Sequence, residues 1–225
     1  MRDDKRKFNG GATEPTVPKA VVNRLSLYLR ELEHLDRDGH ATISSSRLGR
    51  LLGFTDAQVR KDLAYFGQFG YPGIGYRTEE LVAAIRQILG TDQQWAAAMI
   101  GAGNLGRALL GYKGFQQRGF RIVAVFDIDP DKVGNTIEGI EIYHLDNLPK
   151  LAQKHTIRLG LIAVPAAAAQ LAADRLVAAG IEGVLNFAPV TIGLPEDVSL
   201  VGVDLAVELE QLSFAVVTRH RNQRS

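Results

Sequence analysis

The sequence contains no cysteine among its 225 residues. This absence excludes disulfide bonds, thiolate catalysis and redox sensing by a thiol, so any response to redox conditions must come through a bound ligand. Long hydrophobic runs are absent as well, and residues 1–16 are charged and include no apolar segment. We therefore expect neither a membrane span nor a secretory signal, and we expect a cytoplasmic protein.

The chain also lacks a strong charge of either sign, since its formal net charge at pH 7 is +1. Residues 1–90 carry a small excess of Lys and Arg, whereas residues 91–225 carry a small excess of Asp and Glu. A mildly basic first part permits nucleic-acid binding without proving it. The length, with 46% hydrophobic residues, allows one small and one medium domain.

A small domain is predicted over residues 18–90, after a flexible tail at residues 1–17. Apolar residues spaced by three and four predict a first helix, with Pro18 in its first turn. These residues are Val21, Val22, Leu25, Leu29, Leu32 and Leu35. Later in this domain, the glycines and aromatics of residues 66–76 predict a tight hairpin, and Thr78 is expected to cap a last helix that ends at Gly90.

Between the first helix and the hairpin, two short helices separated by a brief glycine-containing break predict a helix-turn-helix. Ser44 or Ser45 is expected to cap the first of them, and Thr55 and Gln58 form a capping box for the second. The first helix is expected to bury Leu48, Leu51 and Leu52. Because a hairpin follows directly, the whole domain is predicted to be a winged helix.

The second helix of this pair has an exposed face suited to DNA. Val59, Leu63 and Phe66 recur at helical spacing and are expected to face inward, which leaves polar and basic side chains toward solvent or a groove of DNA. The expected contacts to base edges or phosphates are Ser44, Ser45, Ser46, Arg47, Gln58, Arg60, Lys61, Tyr65 and Tyr71. The alternative is a helical dimerisation domain whose charged face is simply solvated.

Over residues 91–202, short apolar runs alternate with helical stretches, which predicts an α/β domain with a doubly wound parallel sheet. One run is followed by Gly101-Ala102-Gly103-Asn104-Leu105-Gly106 and the start of a helix. This G-x-G-x-x-G pattern is typical of a tight turn whose free N–H groups bind a pyrophosphate. The alternative is a strand-to-helix turn with a purely structural role.

Asp127 ends the next apolar run, at about the spacing at which an acidic residue binds the adenosine ribose. A carboxylate there opposes the extra phosphate of NADP, so it favours NAD. A hydride-transferring enzyme also needs a region that holds its substrate and supplies an acid or base. No such insertion is present, and His144 and His155, the remaining candidates, are expected on the surface or in loops. We therefore expect dinucleotide binding without catalysis.

The last segment, residues 203–225, is predicted to form an unusual helix over residues 203–218, followed by a tail. Asp204, Glu208 and Gln211 form one narrow polar stripe, and apolar residues cover most of the remaining circumference. A helix this apolar should be buried on several sides. We therefore expect it to insert into a partner subunit of an obligate homodimer.

Six motifs, in this order, resemble the Rex family of redox-sensing transcriptional repressors from about Val17 to Thr218. They are VPKAVVNRLSLYLR, QVRKDLAYFGQFG with GIGY, IGAGNLGRALLGYKGF, FDIDPDKVG, VLNFAPV and VDLAVELEQLSF. The resemblance implies a homodimer with a winged-helix DNA-binding domain, a Rossmann domain for NADH and NAD⁺, and a C-terminal domain-swapped helix. It also implies repression at palindromic operator DNA and release when NADH binds, without a metal or a membrane.

The resemblance further assigns roles to individual residues. It implies that the pyrophosphate is held by Gly101, Ala102, Gly103, Asn104, Leu105 and Gly106. Asp127 is expected to hold the ribose, and Lys132 to lie near the adenosine. The nicotinamide side is expected to be lined by Val164, Pro165, Asn186, Phe187, Ala188 and Pro189. Arg30, Tyr112 and Asp204 are similar to polar residues that exchange partners between the two ligand states, with Leu205 beside them on the exchanged helix. The wing departs from many relatives, which carry a basic residue where this chain has Tyr71-Pro72. The alternative is a nucleotide- or CoA-binding Rossmann enzyme whose N-terminal domain dimerises.

Overall fold

The computed structural model describes residues 17–222 and divides into two units, one ending at Asp92 and one beginning at Gln93. The tail predicted at residues 1–17 lies outside the described residues, except for Val17. Within residues 17–222, none of the helices has the length and apolar content that crossing a membrane requires.

The first unit is a winged helix. Its described elements are α1 (Lys19–Arg37), β1 (Thr42–Ile43), α2 (Ser45–Leu52), α3 (Asp56–Ala64), β2 (Gly70–Tyr71), β3 (Gly75–Arg77) and α4 (Thr78–Ile88). Strand β3 pairs antiparallel with both β1 and β2. The two helices of the predicted helix-turn-helix are α2 and α3. The β2–β3 hairpin, which follows them in the chain, forms the wing.

The core of the first unit is formed largely by α1, whose apolar residues recur at helical spacing. Leu25 and Leu32 are fully buried, as the periodicity predicts, and Tyr28, which the predicted stripe did not include, is fully buried as well. Two predicted core residues are instead exposed: Val22 is 38% exposed and Leu51 50% exposed. Each lies at the edge of its helix's apolar stripe, where the neighbouring elements do not cover it.

The helix ends agree only partly with the predicted caps. Ser44 caps α2 by accepting a hydrogen bond from the Arg47 N–H, and Thr55 caps α3 in the same way. The second half of the predicted capping box is wrong, because the Gln58 amide donates to a side chain of α3 instead of reaching back. Thr78 is not a cap either. It is the first residue of α4, and its buried hydroxyl has no hydrogen-bond partner within the described chain. Pro18 precedes α1 rather than lying in its first turn.

The second unit is a Rossmann-like α/β domain. Its elements are β4 (Trp95–Ile100), α5 (Asn104–Leu110), α6 (Lys113–Gln117), β5 (Phe120–Asp127), β6 (Thr136–Ile137), β7 (Ile140–His144), α7 (Leu148–Lys154), β8 (Leu159–Ile162), α8 (Ala166–Ala178), β9 (Gly183–Asn186), β10 (Ser199–Gly202) and α9 (Leu205–Asn222). The strand order is β10-β9-β8-β4-β5-β7-β6, and only β6 runs antiparallel to its neighbour. The chain reverses direction across the sheet between β4 and β8, and ligands of such sheets bind at the carboxyl ends of the strands at that point.

The two faces of this sheet are covered to different extents. On one face, α7 and α8 pack over a core that includes Phe126, Ile162 and Leu176. On the other, α5 and α6 cover the centre, and a groove of about 580 Å³ lies open across β8, β9 and β10. The groove is lined mainly by apolar side chains, among them Leu159, Leu161, Leu185 and Val201. We call it the sheet groove.

Helix α9 carries most of its large apolar side chains on the surface of the chain. They are Leu205, Val207, Leu209, Leu212, Phe214, Val216 and Val217, with exposed fractions from 44% to 73%. The helix is capped by Asp204, whose carboxylate accepts a hydrogen bond from the Ala206 N–H at 2.9 Å. Contiguous apolar surface of this kind is the mark of an interface.

Candidate nucleotide and nucleic-acid sites

The turn between β4 and α5 is tight at two of its glycines and open at the third. Gly101 has a φ of +105°, and a Cβ there would overlap the Ala163 carbonyl group. A Cβ on Gly106 would overlap the carbonyl oxygen of Gly101. In contrast, nothing lies within 4 Å of a Cβ placed on Gly103. The turn therefore leaves free space beside Gly103 and the exposed Asn104 and Leu105, while Gly101, Ala102 and Gly106 are buried.

Asp127 fastens this turn to the end of β5. Its carboxylate accepts hydrogen bonds from the N–H groups of Ala102 at 2.9 Å, Ile128 at 2.9 Å and Asp129 at 3.0 Å, and from Lys132 Nζ at 3.2 Å. Burial opposes ionisation of Asp127, but these hydrogen bonds and the Lys132 charge outweigh it and hold the pKa below its ordinary value. The carboxylate is thus largely satisfied by the protein, and binding of the ribose by Asp127 stays a prediction.

A narrow apolar cleft of about 50 Å³ lies beside Asp127. It is lined by Ile100, Gly101, Asp127, Ile128, Leu145, Val164, Ala168, Leu171 and Ala172. Ile128 and Leu171 are 62% and 53% exposed, although both are large apolar residues. The exposed apolar side chains at the mouth of this cleft suit contact with one face of a flat base. The sequence analysis missed Ile128, Leu145 and Leu171 because they come from three separate segments that only the fold brings together.

Two side chains of the loop after β9 are engaged within the protein. Asn186 is 3% exposed, and its amide is bonded to Ala188 N at 2.9 Å, Ala188 O at 3.2 Å and Val190 O at 3.0 Å. Ala188 is 5% exposed and packs in the core. Both residues shape the loop, because their side chains are already occupied inside it. The half-buried Phe187 and Val164 and the exposed Pro189 and Pro165 retain surface for a ligand.

The residues expected to contact DNA lie on the surface of the first unit, and several are already held by neighbours. Arg60 Nη1 donates to Ser45 Oγ at 3.1 Å and to Asp56 Oδ2 at 2.7 Å, which joins the start of α2 to α3. Arg47 Nη2 lies 3.3 Å from His40 Nε2. The side chains of Ser46, Lys61 and Tyr65 are exposed.

The wing residue Tyr71 is also engaged within the protein. Its hydroxyl donates to Glu80 Oε2 at 3.1 Å, and the Arg77 guanidinium lies over its ring at 5.0 Å from the centroid. Arg77 in turn donates to Glu80 Oε1 at 3.0 Å. These contacts fix the hairpin to α4, so Tyr71 has a structural role besides the predicted contact with DNA.

A buried polar cluster on α1 and α3 was missed by the sequence analysis. Asp62 is fully buried and accepts two hydrogen bonds from Arg24, at 2.6 and 2.8 Å, one from the Tyr28 hydroxyl at 2.7 Å and one from Gln58 Nε2 at 2.7 Å. Burial and the neighbouring carboxylate raise the pKa of Tyr28. Burial of Asp62 opposes its ionisation, but the three donor side chains outweigh this and lower its pKa. We call these four residues the Asp62 cluster.

The predicted switch residues lie in different units, Arg30 in the first and the other three in the second. Arg30 is exposed on α1. Tyr112 precedes α6, is 59% exposed and packs edge-on against Phe115 at 5.1 Å. Asp204 caps α9, and Leu205 next to it is 68% exposed. Their exchange of partners stays a prediction.

The histidines considered as catalytic candidates lie on the surface. His144 ends β7 with Nδ1 at 3.2 Å from Asp146 Oδ2, and the exposed His155 follows α7. Within residues 17–222, no group of three metal-ligating side chains is close enough to hold an ion.

A winged helix followed in one chain by a nucleotide-binding Rossmann sheet is the architecture of a ligand-controlled DNA-binding protein. Two family models match the chain: "Putative DNA-binding protein N-terminus" over residues 16–64 and "CoA binding domain" over residues 92–190. The chain is 48% identical over 203 residues to the redox-sensing transcriptional repressor Rex of Desulfitobacterium hafniense, covering 90% of this chain and 97% of that protein. The identity to Rex of Streptomyces coelicolor is 46%, covering 88% and 77%. The chain belongs to the Rex family of redox-sensing transcriptional repressors.

Solved structures agree with this assignment. The structure of RSP in complex with β-NAD⁺ and operator DNA matches with a TM-score of 0.87 and 37% identity, covering 93% of this chain and 97% of RSP. RSP, a Rex-family repressor, in complex with β-NADH matches with a TM-score of 0.84 and 35% identity, covering 93% and 99%. The relatives are named as repressors and not as enzymes, which confirms the expectation that this chain is not an enzyme.

Proposed function

We propose that this chain is a cytoplasmic, homodimeric repressor that binds palindromic operator DNA and leaves it when NADH binds. The observation that carries the proposal is the match to RSP across both units, since RSP has been solved with NAD⁺ and operator DNA and also with NADH. The Gly101–Gly106 turn, the Asp127 carboxylate and the adjoining apolar cleft provide the nucleotide site. The exposed side of α2 and α3 provides the DNA-binding surface.

Discrimination between the two nucleotides must occur around the nicotinamide ring. NAD⁺ and NADH differ by one hydride and by the positive charge of the oxidised ring, and apolar, water-poor surroundings penalise that charge. Phe187 on the loop after β9 and the 68% exposed Leu205 on α9 supply apolar surface for such surroundings. Ala188 contributes only through the shape of the loop, because its side chain is buried.

Two features support a homodimer. Helix α9 exposes a row of large apolar side chains, and the second unit contains the sheet groove, which is apolar and open. In a twofold dimer the same contact forms twice, so each α9 is buried against the other subunit. A dimer also presents two recognition helices to two operator half-sites, whose spacing is fixed by the DNA helix.

The response to NADH is then a coupling between two ligands of one dimer. The factor by which NADH weakens DNA binding is also the factor by which DNA weakens NADH binding. Shifting the dimer from 99:1 to 1:99 requires a differential affinity of about 5.5 kcal/mol. Because a dimer binds two NADH molecules, each molecule needs to supply only part of this differential affinity.

The proposal is tested by fluorescence-anisotropy titration of labelled palindromic promoter fragments at one stated salt concentration. Titrations are made without nucleotide and with NADH, NAD⁺ or coenzyme A. We expect tight binding that NADH reverses and that NAD⁺ and coenzyme A do not. Absence of DNA binding in every arm would contradict the proposal, and release by coenzyme A would favour the alternative suggested by the CoA-binding family model.

Replacing Gly106 by alanine is expected to lower stability, whereas replacing Gly103 by alanine is expected to lower NADH affinity. Gly106→Ala places a methyl group against backbone that cannot yield, so we expect a loss of about 2 kcal/mol or more in the free energy of unfolding. Gly103→Ala meets no protein atom within 4 Å, so stability is expected to be nearly unchanged while NADH affinity falls at least about tenfold. Denaturant unfolding and an NADH titration measure the two quantities. Unweakened NADH binding by Gly103→Ala would show that the ligand does not approach this turn.

Asp127→Ala is expected to impair the response to NADH without weakening DNA binding. The substitution removes the acceptor that holds the Ala102 N–H and leaves Lys132 without this partner. We expect the NADH concentration that releases half of the DNA to rise by about tenfold, because the hydrogen bonds that are lost contribute about 1.4 kcal/mol in total. Asp131→Ala, at an exposed carboxylate four residues away, is the matched control. An unchanged NADH titration for Asp127→Ala would remove this residue from the site.

A further inference from the structure

The Asp62 cluster has a consequence for how the chain reads DNA bases. Asp62 lies inside the first unit with no exposed surface, between α1 and the inner side of α3. Its carboxylate is held by Arg24, Tyr28 and Gln58, and the first two of these donors belong to α1. The carboxylate is therefore fixed in the fold, and Gln58 is the member of the cluster that continues outward.

The position of Asp62 determines the orientation of the Gln58 amide. An ionised carboxylate accepts hydrogen bonds and cannot donate them, so the amide must turn its nitrogen toward Asp62. The observed Gln58 Nε2 to Asp62 Oδ1 distance of 2.7 Å agrees with this. Because the amide group is planar, its oxygen points away from the cluster. No hydrogen bond to this oxygen is formed by residues 17–222.

Gln58 lies where a recognition helix meets bases. It is the third residue of α3, the second helix of the helix-turn-helix, and it is partly exposed. In this motif the N-terminal residues of the second helix contact base edges in the major groove. A glutamine amide that is free to rotate offers either a donor or an acceptor there, whereas Gln58 has its acceptor oxygen directed outward.

We propose that Asp62 is a positioning residue that fixes the Gln58 amide so that its oxygen accepts a hydrogen bond from the exocyclic amino group of an adenine in the operator. The inference rests on the proposed function, since it requires α3 to enter the major groove. Adenine and cytosine present an amino group in that groove, whereas guanine and thymine present acceptor oxygens that repel the amide oxygen. Adenine also offers the N7 acceptor to the remaining hydrogen of Nε2, so adenine satisfies both atoms of the amide.

The experiment uses the full-length protein and a palindromic promoter fragment that it binds. Each half-site adenine is replaced in turn, symmetrically, by a purine nucleotide that lacks the 6-amino group, and each half-site cytosine by an analogue that lacks its 4-amino group. At one adenine we expect the unmodified protein to lose about tenfold or more in affinity. Gln58→Met, which leaves Asp62, Arg24 and Tyr28 in place, is expected to lose nothing at that adenine.

Asp62→Asn tests the positioning role itself. An asparagine amide both donates and accepts, so Gln58 is no longer held in one orientation. We expect the preference for adenine over the other three bases at that position to fall from about tenfold to below about threefold, with the salt dependence of binding unchanged. Tyr28→Phe is the control, because it removes a donor from the same carboxylate without touching Gln58. It is expected to lower stability and to keep the base preference.

The outcomes separate the inference from the function on which it rests. If Asp62→Asn weakens binding equally for every DNA sequence and leaves the preference for adenine intact, Asp62 has a structural role only and the proposal is overturned. If Asp62→Asn does not fold, Gln58→Met decides, since retained sensitivity to the 6-amino group also overturns it. Sensitivity confined to a cytosine overturns the choice of adenine. A failure of the unmodified protein to bind any operator contradicts the proposed function instead.

Discussion

Replacing both Arg60 and Lys61 by alanine is expected to abolish operator binding while NADH binding stays intact. Both side chains lie on the exposed part of α3, and Arg60 is held by Ser45 and Asp56 through Nη1 alone, which leaves its other donors for DNA. A specific side-chain contact to a base contributes about 1 to 3 kcal/mol. A dimer loses four such side chains, so the dissociation constant should rise by about 1,000-fold or more.

The matched control for this variant is Lys150→Ala with Lys154→Ala. It also removes two positive charges, but from the exposed side of α7 in the second unit. Both variants are titrated with the operator fragment by anisotropy and with NADH by fluorescence, at the same salt concentration. Retained operator affinity in the Arg60 and Lys61 variant would show that α3 is not the recognition helix. A similar loss of operator affinity in the control would show that the change in net charge alone explains the weaker binding.

Glutamate at both Leu209 and Phe214 is expected to convert the dimer into a folded monomer. The two side chains are 66% and 73% exposed on α9, so each subunit has little of its own packing to lose. Burying a side chain of this kind contributes about 1.5 to 3 kcal/mol, and a twofold interface contains four of them. The lost contribution of about 6 kcal/mol or more corresponds to at least about a 10,000-fold weaker dimer.

Sedimentation equilibrium and circular dichroism measure the two parts of this expectation. Gln211→Glu, in the polar stripe of the same helix, is the control and should remain dimeric. A Leu209 and Phe214 variant that still sediments as a dimer would place the interface elsewhere than α9. Operator binding of the monomer is expected to fall as well, since one recognition helix contacts only one half-site.

The sequence predicted the elements whose apolar residues repeat clearly. The stripe of α1 and the nearly continuous apolar runs of β4, β5 and β8, which are largely buried, follow directly from periodicity. Strands β6 and β7 were not predicted, because β6 has only two residues at the edge of the sheet and Glu141 interrupts the short apolar pattern of β7. The position of each element in the strand order became visible only in the structure.

For the candidate sites, the sequence supplied candidate residues but not the directions in which their side chains face. Asn186 was expected near the nicotinamide, yet its amide is bonded inside its own loop. The Asp62 cluster left a weak signal, since Arg24 and Tyr28, and likewise Gln58 and Asp62, are four residues apart on one helix face. That spacing does not reveal that the two faces meet, because their contact depends on how α1 and α3 pack.

The exposed apolar face of α9 also has a consequence in a cell that makes two versions of this protein. In the proposed dimer, subunits join through α9, whereas Arg60 and Lys61 lie in the other unit, so a subunit with both residues replaced is expected still to pair with an unaltered one. Such a mixed dimer holds only one functional recognition helix. If the two versions are made in equal amounts and pair at random, about a quarter of the dimers remain fully active. The altered copy is therefore expected to be genetically dominant, whereas a copy with charged residues at Leu209 and Phe214 is expected to be recessive.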